Sequence, residues 1–85
     1  MKVEEKTEFT HKTGLHARSA AEFVKKAEKF NSKIFIISNG KEINAKSIMG
    51  VMGLGINQND EINIKAIGDD SQEAVDSLVS FIGNI

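Results

Sequence analysis

The chain has 85 residues, 40% hydrophobic and 27% charged, a composition that suits one small globular domain over residues 1–85. Its 11 basic and 12 acidic side chains leave a formal net charge of −1, which provides no basic footprint for a nucleic acid. The lack of cysteine excludes disulfides and thiolate metal sites, and no apolar run is long enough to span a membrane. Because the N-terminus also lacks an apolar signal core, we expect a cytoplasmic protein.

The first two predicted elements are a strand and an amphipathic helix. From about Lys2 to Thr10, charged residues alternate with Val3, Thr7 and Phe9, which predicts a strand with one solvated face. From Ala17 to about Phe30, apolar residues recur at helical spacing with lysine and glutamate between them. The lysines and glutamates are interleaved, a pattern typical of a solvent-exposed helix face.

A β-hairpin is predicted next. The segment Lys33 to Ser38 is rich in isoleucine and phenylalanine, and an extended pattern resumes from Lys41 to Asn44. Asn39-Gly40 separates the two segments, and both central residues of a type I′ turn need a positive φ, which asparagine and glycine tolerate best. The sequence therefore predicts two antiparallel strands joined by a tight turn.

The last three elements are a short helix, a strand and a longer helix. Ser47 is a predicted N-cap for about two helical turns over residues 48–55, and Glu61 to Ile67 alternates as a strand that Gly68 ends. The segment 70–73 has the pattern of a capping box at the start of the last helix. The order βαββαβα predicts an α+β fold, an open-faced β-sandwich whose four-stranded antiparallel sheet carries three helices on one face.

His16 is the candidate reactive residue, because it lies where the first loop becomes the first helix, with Arg18 two positions later. A helix start offers unpaired backbone N–H groups and the positive end of the helix dipole, so an oxyanion held on this imidazole would be stabilised. The same field disfavours the imidazolium and keeps the ring nucleophilic near neutral pH. Gly14 permits a tight turn before the ring, and Leu15 is expected to anchor that turn on the core. The alternative is a histidine that is only a cap or a surface residue.

Two motifs resemble the signatures of a known family. Gly14-Leu15-His16-Ala17-Arg18 resembles the active-site signature of HPr, the histidine-containing phosphocarrier of the bacterial phosphotransferase system, and residues 46–52 resemble that family's second signature. The resemblance implies that His16 accepts a phosphoryl group at Nδ1 from enzyme I and donates it to the IIA domains of sugar transporters. It also implies that Arg18 stabilises the transferring group. A carrier of this kind is a stoichiometric intermediate rather than an enzyme, and no cofactor or metal is implied.

One residue departs from the family pattern. Ser19 stands where HPr proteins normally have proline, so the first helical turn loses some stiffness and gains a backbone N–H and a hydroxyl. The change leaves both His16 and Arg18 in place. We therefore still predict a phosphocarrier, and we expect serine at this position to affect the rate of phosphoryl transfer and the start of the helix.

Ser47 has two interpretations, since serine is in itself a good helix N-cap. The residues around it resemble the regulatory serine motif of HPr from Gram-positive bacteria, which implies phosphorylation by an HPr kinase/phosphorylase and recognition by a catabolite-control transcription regulator. The resemblance also implies a partner-docking face around His16. We expect an exposed apolar patch on that face, formed by Ala17, Ala21, Ile48, Met49 and Met52.

Two other functions stay open on the sequence. A regulatory binding module that acts only through Ser47 would resemble HPr-related proteins that lack the histidine, and the presence of His16 argues against it as the sole role. A nucleic-acid-binding domain is disfavoured by the net charge. His11 and His16 without a nearby carboxylate make a poor metal site, so we interpret His11 as a solvated residue at a strand end. A monomer is the simplest state for a carrier that presents one face to successive partners.

Overall fold

The computed structural model describes residues 1–11, 14–15 and 17–83. Within these residues the elements follow the predicted βαββαβα order. They are β1 (Lys2–Glu8), α1 (Ala17–Ala27), β2 (Lys33–Ser38), β3 (Lys41–Asn44), α2 (Ile48–Gly53), β4 (Glu61–Ile67) and α3 (Ser71–Gly83). No helix in the described ranges has the length and apolar character needed to cross a bilayer.

The strands form one antiparallel sheet in the order β1-β4-β2-β3. β4 is the last strand in sequence but lies between β1 and β2, where Ile67 pairs with Lys2 on one side and with Lys33 on the other. The β2–β3 hairpin turns at Asn39 and Gly40, whose φ values of 52° and 79° are those that a type I′ turn requires. The predicted fold, an open four-stranded antiparallel sheet with three helices, is confirmed.

The core lies between the helices and one face of the sheet. Strands β2 and β4 bury alternate residues, while the intervening side chains are half-buried or exposed. Each fully buried aliphatic or aromatic side chain stabilises the fold by about 1.5–3 kcal/mol. The largest fully buried apolar side chains are Phe9, Phe23, Ile34, Ile36, Ile62, Ile64, Leu78 and Ile82.

The first strand ends earlier than its sequence pattern predicts. β1 stops at Glu8, and Phe9 leaves the sheet to bond the loop that precedes β4. The amide N of Phe9 donates to the carbonyl O of Asp60 (2.9 Å), and its carbonyl O accepts from the amide N of Asn59 (2.6 Å). The alternating pattern through Phe9 was correct about burial, because this phenylalanine is fully buried, but wrong about strand pairing beyond Glu8.

The first helix also ends early, at Ala27 rather than near Phe30. The amide N of Lys29 donates to the carbonyl O of Lys26 and that of Phe30 to the carbonyl O of Ala27, both at 3.2 Å. These bonds span three residues instead of four, so the chain tightens into a turn after Ala27. The apolar spacing persists through this turn, which is why the sequence pattern overestimates the helix.

The capping box predicted at the start of α3 has the correct position, but the Asp70 carboxylate bonds residues outside this helix. The helix begins after Asp70, whose carbonyl O accepts from the amide N of Ala74 at 2.9 Å. The carboxylate instead accepts from the hydroxyl of Ser32 and from the amide N of Asn31 (2.8 Å) and of Ser32 (2.9 Å). It reaches them because Gly68 passes so close to Ser32 that a Cβ at residue 68 would lie 2.5 Å from the Ser32 Oγ. Asp70 therefore ties the start of α3 to the turn before β2.

Candidate functional site

The segment that leads into α1 is fixed by a tight turn and a buried anchor. The amide N of Gly14 donates to the carbonyl O of His11 (3.1 Å), and Gly14 has a φ of 75°, which glycine adopts without strain. The next residue, Leu15, is 3% exposed, and its amide N donates to the carbonyl O of Ile56 at 3.0 Å. The turn at Gly14 and the apolar anchor at Leu15 are both present as predicted.

Gly14 is also required by space. A Cβ at this position would lie 2.5 Å from the carbonyl O of Ile56 and 3.3 Å from the Cα of Asn57. Both are backbone atoms, so they cannot rotate away as the end of a flexible side chain would. Gly14 therefore lies directly against the backbone of the loop before β4.

The loop formed by residues 55–60 is the part of the site that the sequence analysis missed. Gly55 and Asn59 have φ values of 64° and 73°, and the amide N of Asn57 donates to the Asp60 Oδ2 at 2.9 Å. One end of this loop bonds Phe9 and the other bonds Leu15, so it holds both ends of the segment between β1 and α1. The sequence signal was the run of turn-forming residues from Asn57 to Asp60, but nothing local shows what such a loop contacts.

The start of α1 carries the remaining predicted residues of the site. His16 lies outside the described residues, as do Lys12 and Thr13, whereas Ala17 is the first residue of α1. Arg18 is exposed in the first helical turn. The first turn of α1 contains no acidic side chain, so the positive end of this helix is not offset by a carboxylate of its own turn.

Ser19, the residue that departs from the HPr pattern, is buried in the same turn at 8% exposure. α1 begins at Ala17, so serine at this position is compatible with a helix that includes Arg18 from its first turn. Buried Ala20 and Phe23 continue the inward face of the helix.

Ser47 is the N-cap of α2, as the sequence predicts. Its backbone is extended (φ −106°, ψ 111°), and its Oγ accepts from the amide N of Gly50 at 3.1 Å. The Ser47 carbonyl O accepts from the amide N of Val51 (2.9 Å), and its own amide N donates to the carbonyl O of Asn44 (3.1 Å). Ser47 as a whole is half-buried.

Gly50 explains how α2 comes close to the sheet. A Cβ at this residue would lie 2.6 Å from the Ile43 Cγ2 in β3 and 3.2 Å from the Ser47 Oγ. Glycine therefore lets the helix approach β3 while Val51 enters the core with no exposed surface. The local sequence does not reveal this role of Gly50, because the close approach depends on a residue in another element.

The five residues predicted to form a docking surface are all exposed, and we call them the α1–α2 patch. Met49 is 80% exposed, Met52 42% and Ile48 37%. Ala17 and Ala21 lie on an exposed part of α1, and α1 packs against α2. Exposed methionines on α2, beside exposed alanines on α1, form a surface that can adapt to more than one protein partner. The structure thus brings the predicted residues onto two helices in contact.

His11 differs from its predicted role as a solvated strand-end residue. It is half-buried, and its ring lies edge-on to the Phe9 ring with 6.4 Å between the centroids. The burial follows from the early end of β1, since Phe9 turns inward and His11 packs beside it. Across the residues that the structure describes, no three His, Cys, Asp or Glu side chains form a group that could hold a metal ion.

Known proteins are similar to this chain in both sequence and fold. The family model described as "PTS HPr component phosphorylation site" matches residues 3–84. An HPr-like protein Crh of Halalkalibacterium halodurans is 50% identical over 94% of this chain and 95% of its own length. A phosphocarrier protein HPr of Buchnera aphidicola is 50% identical over 87% of each chain.

The solved structures give the same result. HPr-C-His from Thermoanaerobacter tengcongensis superposes with a TM-score of 0.93 at 48% identity, covering 96% of this chain and 92% of the other. A structure described as an HPr dimer from the same organism has a TM-score of 0.78 at 49% identity, over 92% and 90% of the two chains. With a family model that spans nearly the whole chain and relatives of this identity, the chain belongs to the HPr phosphocarrier family.

Proposed function

We propose that this protein is a phosphocarrier of the phosphoenolpyruvate-dependent sugar phosphotransferase system, loaded on His16 by enzyme I and unloaded by the IIA domains of sugar transporters. The observation that carries the proposal is Gly14-Leu15-His16-Ala17-Arg18, which runs from the buried anchor at Leu15 directly into the first turn of α1. A helix start without acidic side chains is suited to an anion attached to the residue before it.

The chemistry is a phosphoryl transfer in two directions. The Nδ1 lone pair of neutral His16 attacks phosphorus, a P–N bond forms, and the bond from phosphorus to the donor enzyme breaks. On delivery the P–N bond breaks and the IIA domain takes the phosphoryl group. Charge spreads over the phosphoryl oxygens in the transition state, where the exposed Arg18 guanidinium and the first-turn amides of α1 supply donors. The protein is regenerated in each cycle, so it acts as a stoichiometric carrier in the cytoplasm, not as a catalyst.

We further propose that Ser47 is a regulatory phosphorylation site for an HPr kinase/phosphorylase. A phosphate there would add about −1.5 to −2 charges at the N-terminus of α2, a position that tolerates negative charge. The added charge would lie beside Ile48 and Met49 of the α1–α2 patch. It would weaken docking of an acidic partner surface and create an anionic contact for a catabolite-control transcription regulator.

A regulatory role without phosphotransfer is the second candidate, because the relatives include proteins named HPr-like protein Crh as well as phosphocarriers. His16 supports the carrier function, since a module that acts only through Ser47 would not need an imidazole at this position. The two roles are compatible in one chain. They differ in which residue accepts phosphate and from which donor.

The decisive assay incubates the protein with phosphoenolpyruvate and enzyme I. We expect an acid-labile, base-stable phosphoryl adduct that His16→Ala abolishes and that His11→Ala, the other histidine of the chain, retains. Addition of a IIA domain should remove the adduct. If no adduct forms with active enzyme I, or if it persists in His16→Ala, the carrier proposal is wrong.

The regulatory proposal has a separate assay with ATP and an HPr kinase/phosphorylase. We expect an acid-stable adduct that Ser47→Ala abolishes and Ser80→Ala, a change at an exposed serine of α3, leaves intact. Failure of this adduct to form would contradict the regulatory role and leave phosphotransfer on His16 unaffected.

We propose a monomer as the working state, because each partner must reach the same face of the carrier. The HPr dimer among the similar structures makes a dimer the specific alternative. Light scattering after size-exclusion chromatography at about 10 μM and 1 mM distinguishes them. A mass of twice 9.3 kDa at both concentrations would contradict the monomer.

A further inference from the structure

A cavity of about 190 Å³ opens where β2 begins and β3 ends, and the proposed phosphotransfer makes no use of it. It is lined by residues 31–35 together with Asn44 and Lys46. Phe35 and Asn44 are paired neighbours across the β2–β3 ladder, so they form one wall on the open side of the sheet. The helix side is closed by the turn after α1, which Asp70 holds through Asn31 and Ser32.

The charged side chains among the lining residues of this cavity are basic. Lys33 and Lys46 are among the lining residues, and no aspartate or glutamate of the described residues is. The Oδ1 of Asn44 accepts from the amide N of Lys46 at 2.9 Å, which leaves the Nδ2 of that amide group as the donor. A lining with ammonium and amide donors favours an anion.

Lys46 is held in place before any ligand arrives. Its Nζ donates to the carbonyl O of Phe30 at 2.7 Å in a partly buried contact, in the turn that follows α1. One N–H of the ammonium is used in this bond and two remain. A lysine fixed by one bond loses less side-chain entropy on binding an anion than a free surface lysine does.

The cavity also has an apolar part and a size that limits its ligand. Ile34 and Phe35 contribute to the lining, and the Lys65 Nζ lies 5.1 Å from the Phe35 ring centroid, where it is further held by Glu42 at 2.6 Å. A cavity of about 150 Å³ is large enough for benzene, so this one has room for a six-membered ring with one small substituent. We infer that the cavity binds a ring-sized organic anion, with its charged group on Lys46 and Lys33 and its ring against Phe35.

Benzoate and phenyl phosphate are the probes, with benzamide as the neutral analogue of benzoate. In ¹H–¹⁵N NMR titrations of the full chain we expect shifts at residues 31–35, 44 and 46, and a Kd of about 1 mM for each anion. Benzamide should bind at least about tenfold more weakly, because it lacks the charge that the two ammonium groups recognise. Equal binding of benzamide, or shifts spread over the surface, would overturn the inference.

Lysine variants provide the matched comparison. Lys46→Met and Lys33→Met keep most of the side-chain length and remove the charge, and each should raise the Kd of benzoate by about tenfold. Lys41→Met changes an exposed lysine of β3 that does not line the cavity, and should leave the Kd within about twofold. Because Lys46→Met also removes the bond to Phe30, Lys33→Met is the independent test. An unchanged Kd in Lys33→Met, or an equal loss in Lys41→Met, would refute the site.

Discussion

The substitution Gly14→Ala tests how rigidly the segment before α1 is held. Two costs combine at this residue. The φ of 75° lies in the left-handed region, where an alanine is strained by about 1–2 kcal/mol. The new Cβ would also lie 2.5 Å from the carbonyl O of Ile56, so either the loop or the turn must shift. Forced overlap in a packed region costs about 1–3 kcal/mol more.

Gly40→Ala separates the two costs. Gly40 has nearly the same φ, 79°, but a Cβ there meets no atom within 4 Å. We therefore expect Gly40→Ala to lower the free energy of unfolding by about 1–2 kcal/mol and Gly14→Ala to lower it by about 2–5 kcal/mol. A domain of this size is stable by about 4–13 kcal/mol, so the second loss is a large fraction of the total. The effect of alanine on the unfolded chain is the same in both variants and cancels in their difference.

Urea unfolding followed by circular dichroism measures both variants, and thermal melts should separate their Tm values by about 5–20 °C. Gly14→Ala should also be loaded more slowly by enzyme I than Gly40→Ala, because its overlap disturbs the turn directly before His16. Equal losses of stability in the two variants would show that the Ile56 carbonyl yields without cost, and the account of a rigid support would then be wrong.

Three further predictions concern single side chains. Asp70→Asn should lower the free energy of unfolding at pH 7. The hydrogen bond from the Ser32 hydroxyl, and then those from the Asn31 and Ser32 amides, lower the pKa of Asp70 below 3.8. The stabilisation by the ionised carboxylate is therefore present above pH 3.8 and is lost as the pH falls through the lowered pKa. Urea midpoints from pH 7 to 2, with Asp69→Asn as the exposed control, should show the gap between wild type and Asp70→Asn closing in acid; a constant gap contradicts this. Ser47→Ala should lower the free energy of unfolding by about 1 kcal/mol, and Ser47→Asp should lower it much less, since aspartate is also a good N-cap. Equal losses of Tm in the two variants would mean that the hydrogen bond to Gly50 contributes nothing. Ser71→Ala should leave stability unchanged or raise it by up to about 1 kcal/mol, because the buried Ser71 hydroxyl has no hydrogen-bond partner in the described part of the chain, and a clear loss in urea unfolding would disprove that.

Part of the candidate site could be predicted from the local sequence, and part depends on residues far away in the chain. The motif from Gly14 to Arg18 identified the family and the start of α1. The Ser47 N-cap could be predicted because serine is a common cap residue, and its hydroxyl bonds an amide only three positions later. The role of His16 itself rests on that motif, because the residue lies outside the described structure. The loop at residues 55–60 supports the site from more than 40 positions away in sequence, so no local pattern could have revealed it.

The sequence by itself determined the elements whose causes are local. Alternation and helical spacing located β4 and α3, and Asn39-Gly40 fixed a hairpin, because backbone conformation and side-chain periodicity depend on near neighbours. Only the tertiary structure decided that β4 lies between β1 and β2 and that the Asp70 carboxylate serves Ser32 rather than its own helix. These contacts join segments far apart in the chain, and their partners are selected by packing of the whole core, where the position of each element depends on all the others.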